Sequence, residues 1–378
     1  MSFQKVFSSL RAVFLVSALP LSAIAGLPTA VKAASLSPQN FNAMYVFGDS
    51  LSDDGNLFDA TKGYIPPSPV YSDGRFSNGP VWVDYLAQYL GLTSNSNINL
   101  AYGGATTGNS NVLNDIVPSV VLNLPGLQQQ INNFKKANLP ANPDALYIVW
   151  AGGNDYIGGG VTNAAIPVGN LSTAVTSLAT FGAKNIMVVN LPDLGKLPDT
   201  RTSSNSANLS VLTATHNSGL AASLNGLSQS LSQNLGDSIN IIPLDANSLF
   251  DRVIANPSEF GLRNVTEACL DKLFACAVNA DKFLFWDNIH PTTTAHKILG
   301  KYAFSVLGQQ TEASAIASNN QLLRQSASAT LTPALVSDSQ ESVPEPASTF
   351  GILAFGALGA GLVLKRQQTK ASSIKTEV

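Results

Sequence analysis

Along the chain, short unbroken apolar runs alternate with stretches in which apolar positions recur every three or four residues. An unbroken run suits a strand covered on both faces; the wider spacing suits a helix with one buried side. The expected strands are Ala43–Phe47, Ile98–Ala101, Ala145–Ala151 (ALYIVWA), Asn185–Asn190 (NIMVVN), Ile239–Ile242 and Phe283–Phe285. The expected helices are Val81–Leu90, Leu127–Ala137, Leu171–Phe181, Asn205–Leu235, Ala246–Ala255 and Thr292–Leu307. Strand followed by helix, repeated, predicts one α/β domain over residues 40–309, a three-layer α/β/α sandwich with a mostly parallel central sheet. No internal repeat interrupts it.

Both ends depart from this pattern. Residues 1–33 carry Lys5 and Arg11, then an apolar run from Ala12 to about Leu27. Small residues Val31 and Ala33 stand where a signal peptidase reads, so a secretory signal cut after Ala33 is expected, with an uncleaved anchor as the other reading. Over 310–342 the composition shifts to Ser, Ala, Gln and Thr, as in a flexible linker. Then come Pro344-Glu345-Pro346, an uncharged span from Ser348 to Leu364, and the basic pair Lys365-Arg366. The span is at the short end of what crosses a bilayer as a transmembrane helix, and the basic pair favours the cytoplasmic side.

Segment 343–366 resembles a PEP-CTERM sorting signal, on the order of those three parts. The resemblance implies sorting at a Gram-negative-type envelope, with a dedicated membrane protease as processing partner alongside signal peptidase. A plain C-terminal membrane anchor is the alternative. The polar tail 367–378 is longer than is usual for such signals. Either way the main domain is expected outside the cytoplasm: in the periplasm, at the outer envelope or in the medium.

Composition narrows the picture further. A net charge of −3 with scattered Lys and Arg argues against a nucleic-acid partner. Cys269 and Cys276 are the only cysteines. Export permits a disulfide between them, two reduced buried thiols being the other state, and their spacing is no zinc motif. No metal is expected.

In a parallel α/β sheet, ligands meet the carboxyl ends of the strands. The first strand runs into Gly48-Asp49-Ser50, and the second into NLAYGGATT with Gly103 and Gly104. ALYIVW runs into Gly152-Gly153-Asn154-Asp155, and FLFW into Asp287-Asn288-Ile289-His290-Pro291. A serine, glycines, an amide and an Asp/His pair are the parts of an acyl-transfer site.

The blocks FGDSLSDDGN, NLAYGGATT, GGND and FWDNIHPT resemble, in order, the successive blocks of the GDSL esterase/lipase family within the SGNH hydrolases. The chain has no G-x-S-x-G elbow of the ordinary α/β-hydrolases. The resemblance implies a flavodoxin-like sandwich and hydrolysis of an ester or lipid through an acyl-enzyme, without a cofactor. The subgroup resembled includes bacterial lipases, haemolysin-like phospholipases and lipid acyltransferases. Residue by residue, it implies Ser50 as nucleophile, His290 as base and Asp287 as the acid orienting His290. It implies an oxyanion hole of the Ser50 N–H, the Gly104 N–H and the Asn154 side-chain amide.

Other residues receive plainer expectations. Gly103 serves the turn, and Asp49 and Asp155 fix their own turns. His216 and His296 have surface or packing roles. Loops 106–112 and 158–170 are candidates for the rim of the site. Tyr64–Gly79 is either a wall of the acyl or alcohol pocket or purely structural. A non-catalytic surface or matrix protein is the competing class, suggested by the anchor-like tail and the Asn/Ser/Thr-rich composition; the joint presence of Ser50, Gly104, Asn154, Asp287 and His290 argues against it.

Overall fold

The computed structural model describes residues 40–115, 123–137, 140–236 and 238–309. The expected signal 1–33, linker 310–342, sorting segment 343–366 and tail 367–378 lie outside the described residues.

Five strands, β1 (Ala43–Gly48), β2 (Asn97–Asn99), β3 (Ala145–Trp150), β4 (Asn185–Val189) and β5 (Asn240–Leu244), form an all-parallel sheet. Their order is β2-β1-β3-β4-β5, the doubly wound flavodoxin-like arrangement, and it reverses between β1 and β3. The helices are α1 (Asn56–Ala60), α2 (Trp82–Leu90), α3 (Leu127–Ala137), α4 (Gly153–Ile157), α5 (Ala165–Phe181), α6 (Ser206–Leu235), α7 (Ala246–Ala255), α8 (Leu273–Asn279) and α9 (293–309).

Successive strand side chains point to opposite faces, and here both faces are covered. Val46, Ile148, Trp150 and Met187 pack with Trp82 and Leu86 of α2, Phe250 of α7 and Leu299 of α9. Their neighbours Phe47, Tyr147, Val149 and Val188 pack with Phe134 of α3, Leu178 of α5 and Leu224 of α6. That is why ALYIVW is unbroken: every residue of β3 is buried.

The structure corrects two expectations, the start of one helix and the sheet that Phe283–Phe285 joins. Helix α5 starts at Ala165, six residues before Leu171, because Pro167 falls in the first turn, where a missing N–H breaks no helix bond. Residues 165–170, expected in a rim loop, are therefore helical. The Phe283–Phe285 strand, β7, is not part of the main sheet; it pairs in parallel with β6 (Asn264–Ala268) in a two-stranded sheet. Strand β6 escapes a sequence reading because NVTEA has no apolar run. Cys269 and Cys276 form a disulfide, with Cα atoms 5.0 Å apart, tying the end of β6 to α8. Among the described residues, no helix is long and apolar enough to cross a membrane.

Candidate active site

The last residue of β1 is a glycine because no side chain fits there: a Cβ on Gly48 would lie 2.3 Å from the Trp150 carbonyl oxygen. The Gln130 amide of α3 clamps the same residue, accepting the Gly48 N–H at 2.9 Å and donating to its carbonyl at 2.8 Å. The chain then turns. The Asp49 carbonyl accepts the N–H of Ser52 and of Asp53, both at 3.0 Å, and the Asp49 carboxyl accepts that of Leu51 at 3.1 Å. Ser50 is thereby held at the carboxyl edge of the sheet, beside the point where strand order reverses.

His290 and Asp287 reach Ser50 from the two-stranded sheet. His290 Nε2 lies 2.9 Å from Ser50 Oγ, and His290 Nδ1 lies 2.8 Å from Asp287 Oδ2. Asp287 Oδ1 accepts the backbone N–H of Ile289 at 2.8 Å and of His290 at 2.7 Å, which shapes the loop. Burial pushes the Asp287 carboxyl up, but the adjacent His290 ring and these N–H groups outweigh it and bring it down to about 2.

Two residues of the Tyr64–Gly79 segment contact this pair. Tyr71 Oη donates to Asp287 Oδ2 at 2.7 Å, and the Phe76 ring sits 4.9 Å from the His290 ring. Burial and the Asp287 charge raise the Tyr71 phenol, so it stays a donor. Neither contact could be read from the sequence, since each joins residues more than two hundred positions apart.

Gly104 sits in the left-handed region at φ 77°, and a Cβ there would lie 2.5 Å from Asn111 Oδ1. This loop is tied to the Ser50 turn by Asp53. Its Oδ2 accepts the N–H of Gly103 at 2.7 Å and of Leu57 at 3.2 Å, and its Oδ1 accepts those of Gly55 and Asn56. Asn111 donates to the Gly103 carbonyl at 2.9 Å, and Thr107 bonds the Asp155 carboxylate through N–H and hydroxyl. Loop 106–112 is thus tied both to the Gly103-Gly104 turn and to the segment that carries Asn154. Asn154 Nδ2 donates to the Ala105 carbonyl at 3.0 Å, next to Gly104. Among the described residues, no acceptor takes the backbone N–H of Ser50 or of Gly104.

Asp49 is buried next to Ser50, and desolvation lifts its carboxyl to about 7 despite the Leu51 N–H and the nearby His290. His216 and His296 stay out of the site. His216 bonds the Tyr156 hydroxyl at 3.0 Å, and His296 Nδ1 accepts the Trp82 backbone N–H at 3.3 Å. Burial lowers them to about 4 and about 3, so both are neutral packing groups. Among the described residues, no group of three His, Cys, Asp or Glu side chains is placed to hold a metal ion.

An apolar cavity opens beside Ser50 and Asn154. Its wall is mainly apolar and includes Ile157, Leu191, Leu194, Leu197, Phe250 and Ile289. Sequence reasoning missed this wall. A leucine after β4 reads the same whether it faces a core or a cavity.

The family model described as GDSL-like Lipase/Acylhydrolase matches residues 44–303, and the PEP-CTERM protein-sorting motif matches 342–367. The chain is 30% identical over 331 residues to phosphatidylcholine-sterol acyltransferase of Aeromonas hydrophila, covering 75% of this chain and 94% of that protein. It is 30% identical over 336 residues to Esterase EstA of Pseudomonas aeruginosa, covering 75% of this chain and 49% of that one, so it spans about half of EstA. It is 28% identical over 289 residues to the thermolabile hemolysin of Vibrio parahaemolyticus, covering 71% of this chain and 64% of the hemolysin. Among solved structures, the acetylxylan esterase Axe2 from Geobacillus stearothermophilus matches 72% of this chain and 97% of its own, with 12% identity and a TM-score of 0.39.

Proposed function

The chain belongs to the GDSL-like lipase/acylhydrolase family and carries a PEP-CTERM sorting motif, and on that premise we propose that it is an exported serine hydrolase cleaving carboxylic esters through an acyl-enzyme. One observation carries the reading: Ser50 Oγ, His290 and Asp287 form an unbroken series at 2.9 and 2.8 Å beside an apolar cavity.

In this reading His290 Nε2 takes the Ser50 proton as Oγ attacks the ester carbonyl. Asp287 stays ionised, holds the Nδ1–H tautomer and stabilises the imidazolium. The oxyanion is met by the N–H of Ser50, the N–H of Gly104 and the Asn154 amide, donors fixed before the charge develops. His290 then returns the proton to the leaving alcohol, and the acyl group remains on Ser50 with its chain in the cavity. Water attacks by the same route in reverse.

A second acceptor is supported by the resemblance, along nearly its whole length, to a protein named as an acyltransferase. There an alcohol replaces water at the acyl-enzyme. Product analysis with an added alcohol separates the two outcomes.

The sorting motif indicates export and envelope sorting. Signal peptidase and a membrane protease acting on that motif are the processing partners in this proposal, with the periplasm, outer envelope or medium as destination.

The test offers the purified protein p-nitrophenyl esters from acetate to palmitate, beside Ser50→Ala. The expected result is loss of at least about 10³ in kcat with an unchanged fold by circular dichroism. Undiminished hydrolysis by the variant would overturn the mechanism.

A further inference from the structure

Three large apolar side chains of α8 face solvent within six positions: Leu273 is 70% exposed, Phe274 96% and Val278 77%. At helical spacing they fall within one arc of the surface, with exposed Ala277 among them. The opposite side of α8 carries Cys276, buried in its disulfide with Cys269. A helix of this size normally turns its apolar side inward; this one is stapled with it outward.

The staple is fixed to the wall of the site. Cys269 and Cys276 pack with Phe283, Trp286 and Tyr71. Cys269 and Leu270 donate their N–H groups to the carbonyls of Phe285 and Trp286, both at 3.0 Å. Trp286 directly precedes Asp287, and Tyr71 donates to Asp287. Ile289, two residues beyond Asp287, is 36% exposed and lines the cavity.

We propose that α8 is an interfacial anchor that seats this site on a lipid bilayer, so that the substrate is an ester lipid drawn from the bilayer rather than a dissolved ester. The substrate clause rests on the ester-hydrolase reading above. A bilayer suits the patch better than a folded partner does. The apolar side chains sit on a short stapled helix whose flanking lysines are already ion-paired, Lys272 with Glu267 and Lys282 with Asp281, so these lysines offer no handle to an acidic protein partner. The loop that α8 is bonded to carries Asp287 and Ile289 at an apolar cavity, and the sorting motif brings the chain to a membrane during export.

The primary test is Phe274→Trp in the mature protein, mixed with phosphatidylcholine vesicles. The expected result is a blue shift of the added tryptophan emission and its quenching by brominated phosphatidylcholine. This readout is local to α8 and independent of any contact made by the C-terminal segment. The second test is Leu273→Ser combined with Phe274→Ser. The ratio of vesicle-lipid hydrolysis to dissolved p-nitrophenyl butyrate hydrolysis is expected to fall at least about tenfold, with butyrate hydrolysis held within about twofold.

No shift and no quenching overturns the anchor even if soluble esters are cleaved. An equal loss on both substrates also overturns it, since it marks damage to the site. A concentration-dependent dimer that the double substitution abolishes, without vesicle quenching, overturns it by giving the patch to a second copy. Quenching in a protein that cleaves no ester supports the anchor while the hydrolase reading fails.

Discussion

Tyr71 Oη and His290 Nδ1 meet on a single atom, Asp287 Oδ2, at 2.7 and 2.8 Å. Two donors on one oxygen, with backbone N–H groups on the other, fix the plane of the carboxylate and through it the His290 ring. Tyr71→Phe removes one charge-assisted bond and keeps the ring packed against Phe76. Such bonds are worth about 1.5–3 kcal/mol, and even partial transmission to the transition state lowers kcat about tenfold while KM stays within about twofold. Steady-state kinetics on a soluble ester decides it; an unchanged kcat would mean that Asp287 holds its orientation without Tyr71.

The oxyanion donors separate by substitution. With the proposed oxyanion hole, Asn154→Ala removes one donor and should lower kcat by about 10²–10³. Asn154→Asp should be worse, because a carboxylate would face both the oxyanion and the Ala105 carbonyl that the amide now bonds. An Asp variant more active than the Ala variant would remove Asn154 from the hole.

Gly104→Ala combines a φ of 77° with a Cβ 2.5 Å from Asn111 Oδ1 and 2.7 Å from Leu113 Cγ. The chain must shift, at a cost of about 1–3 kcal/mol, and Tm should fall by several degrees together with kcat. A thermal melt that matches the native protein would show the loop relaxing freely.

Asp49 makes stability depend on pH in the direction opposite to a salt-bridged carboxylate. Its carboxyl titrates near 3.8 unfolded and about 7 folded, so within that window the folded chain keeps a proton that the unfolded chain has lost. Its contribution therefore falls as pH rises through the window and levels off above about 7. Asp49→Asn stays neutral, so its Tm relative to the native protein should climb from pH 4 to pH 8. Melts across that range test this, and a difference that does not vary with pH refutes it.

The cavity wall should set chain-length preference. Leu194 is buried on that wall, and Leu194→Trp fills space an acyl chain would use. The rate ratio of p-nitrophenyl decanoate to butyrate should fall by about tenfold or more, since lost apolar contact is worth 1–3 kcal/mol per methylene-scale change. An unaltered ratio would place the acyl chain elsewhere.

Patterns local to the chain were readable because they reflect local rules. ALYIVWA and the IMVV of NIMVVN are unbroken apolar runs since both their faces are covered, and the Asp287 loop closes on its own N–H groups within three residues. What depended on distant surfaces was not readable. Strand β6 looks polar until β7 lies beside it, Tyr71 finds Asp287 across 216 positions, and Leu194 is a core-like residue until a cavity opens against it. Leu273, Phe274 and Val278 show the limit most plainly. Their apolar character belongs to the sequence, but whether an apolar side chain is covered depends on what the rest of the chain brings against it, and only the folded structure leaves these three facing outward.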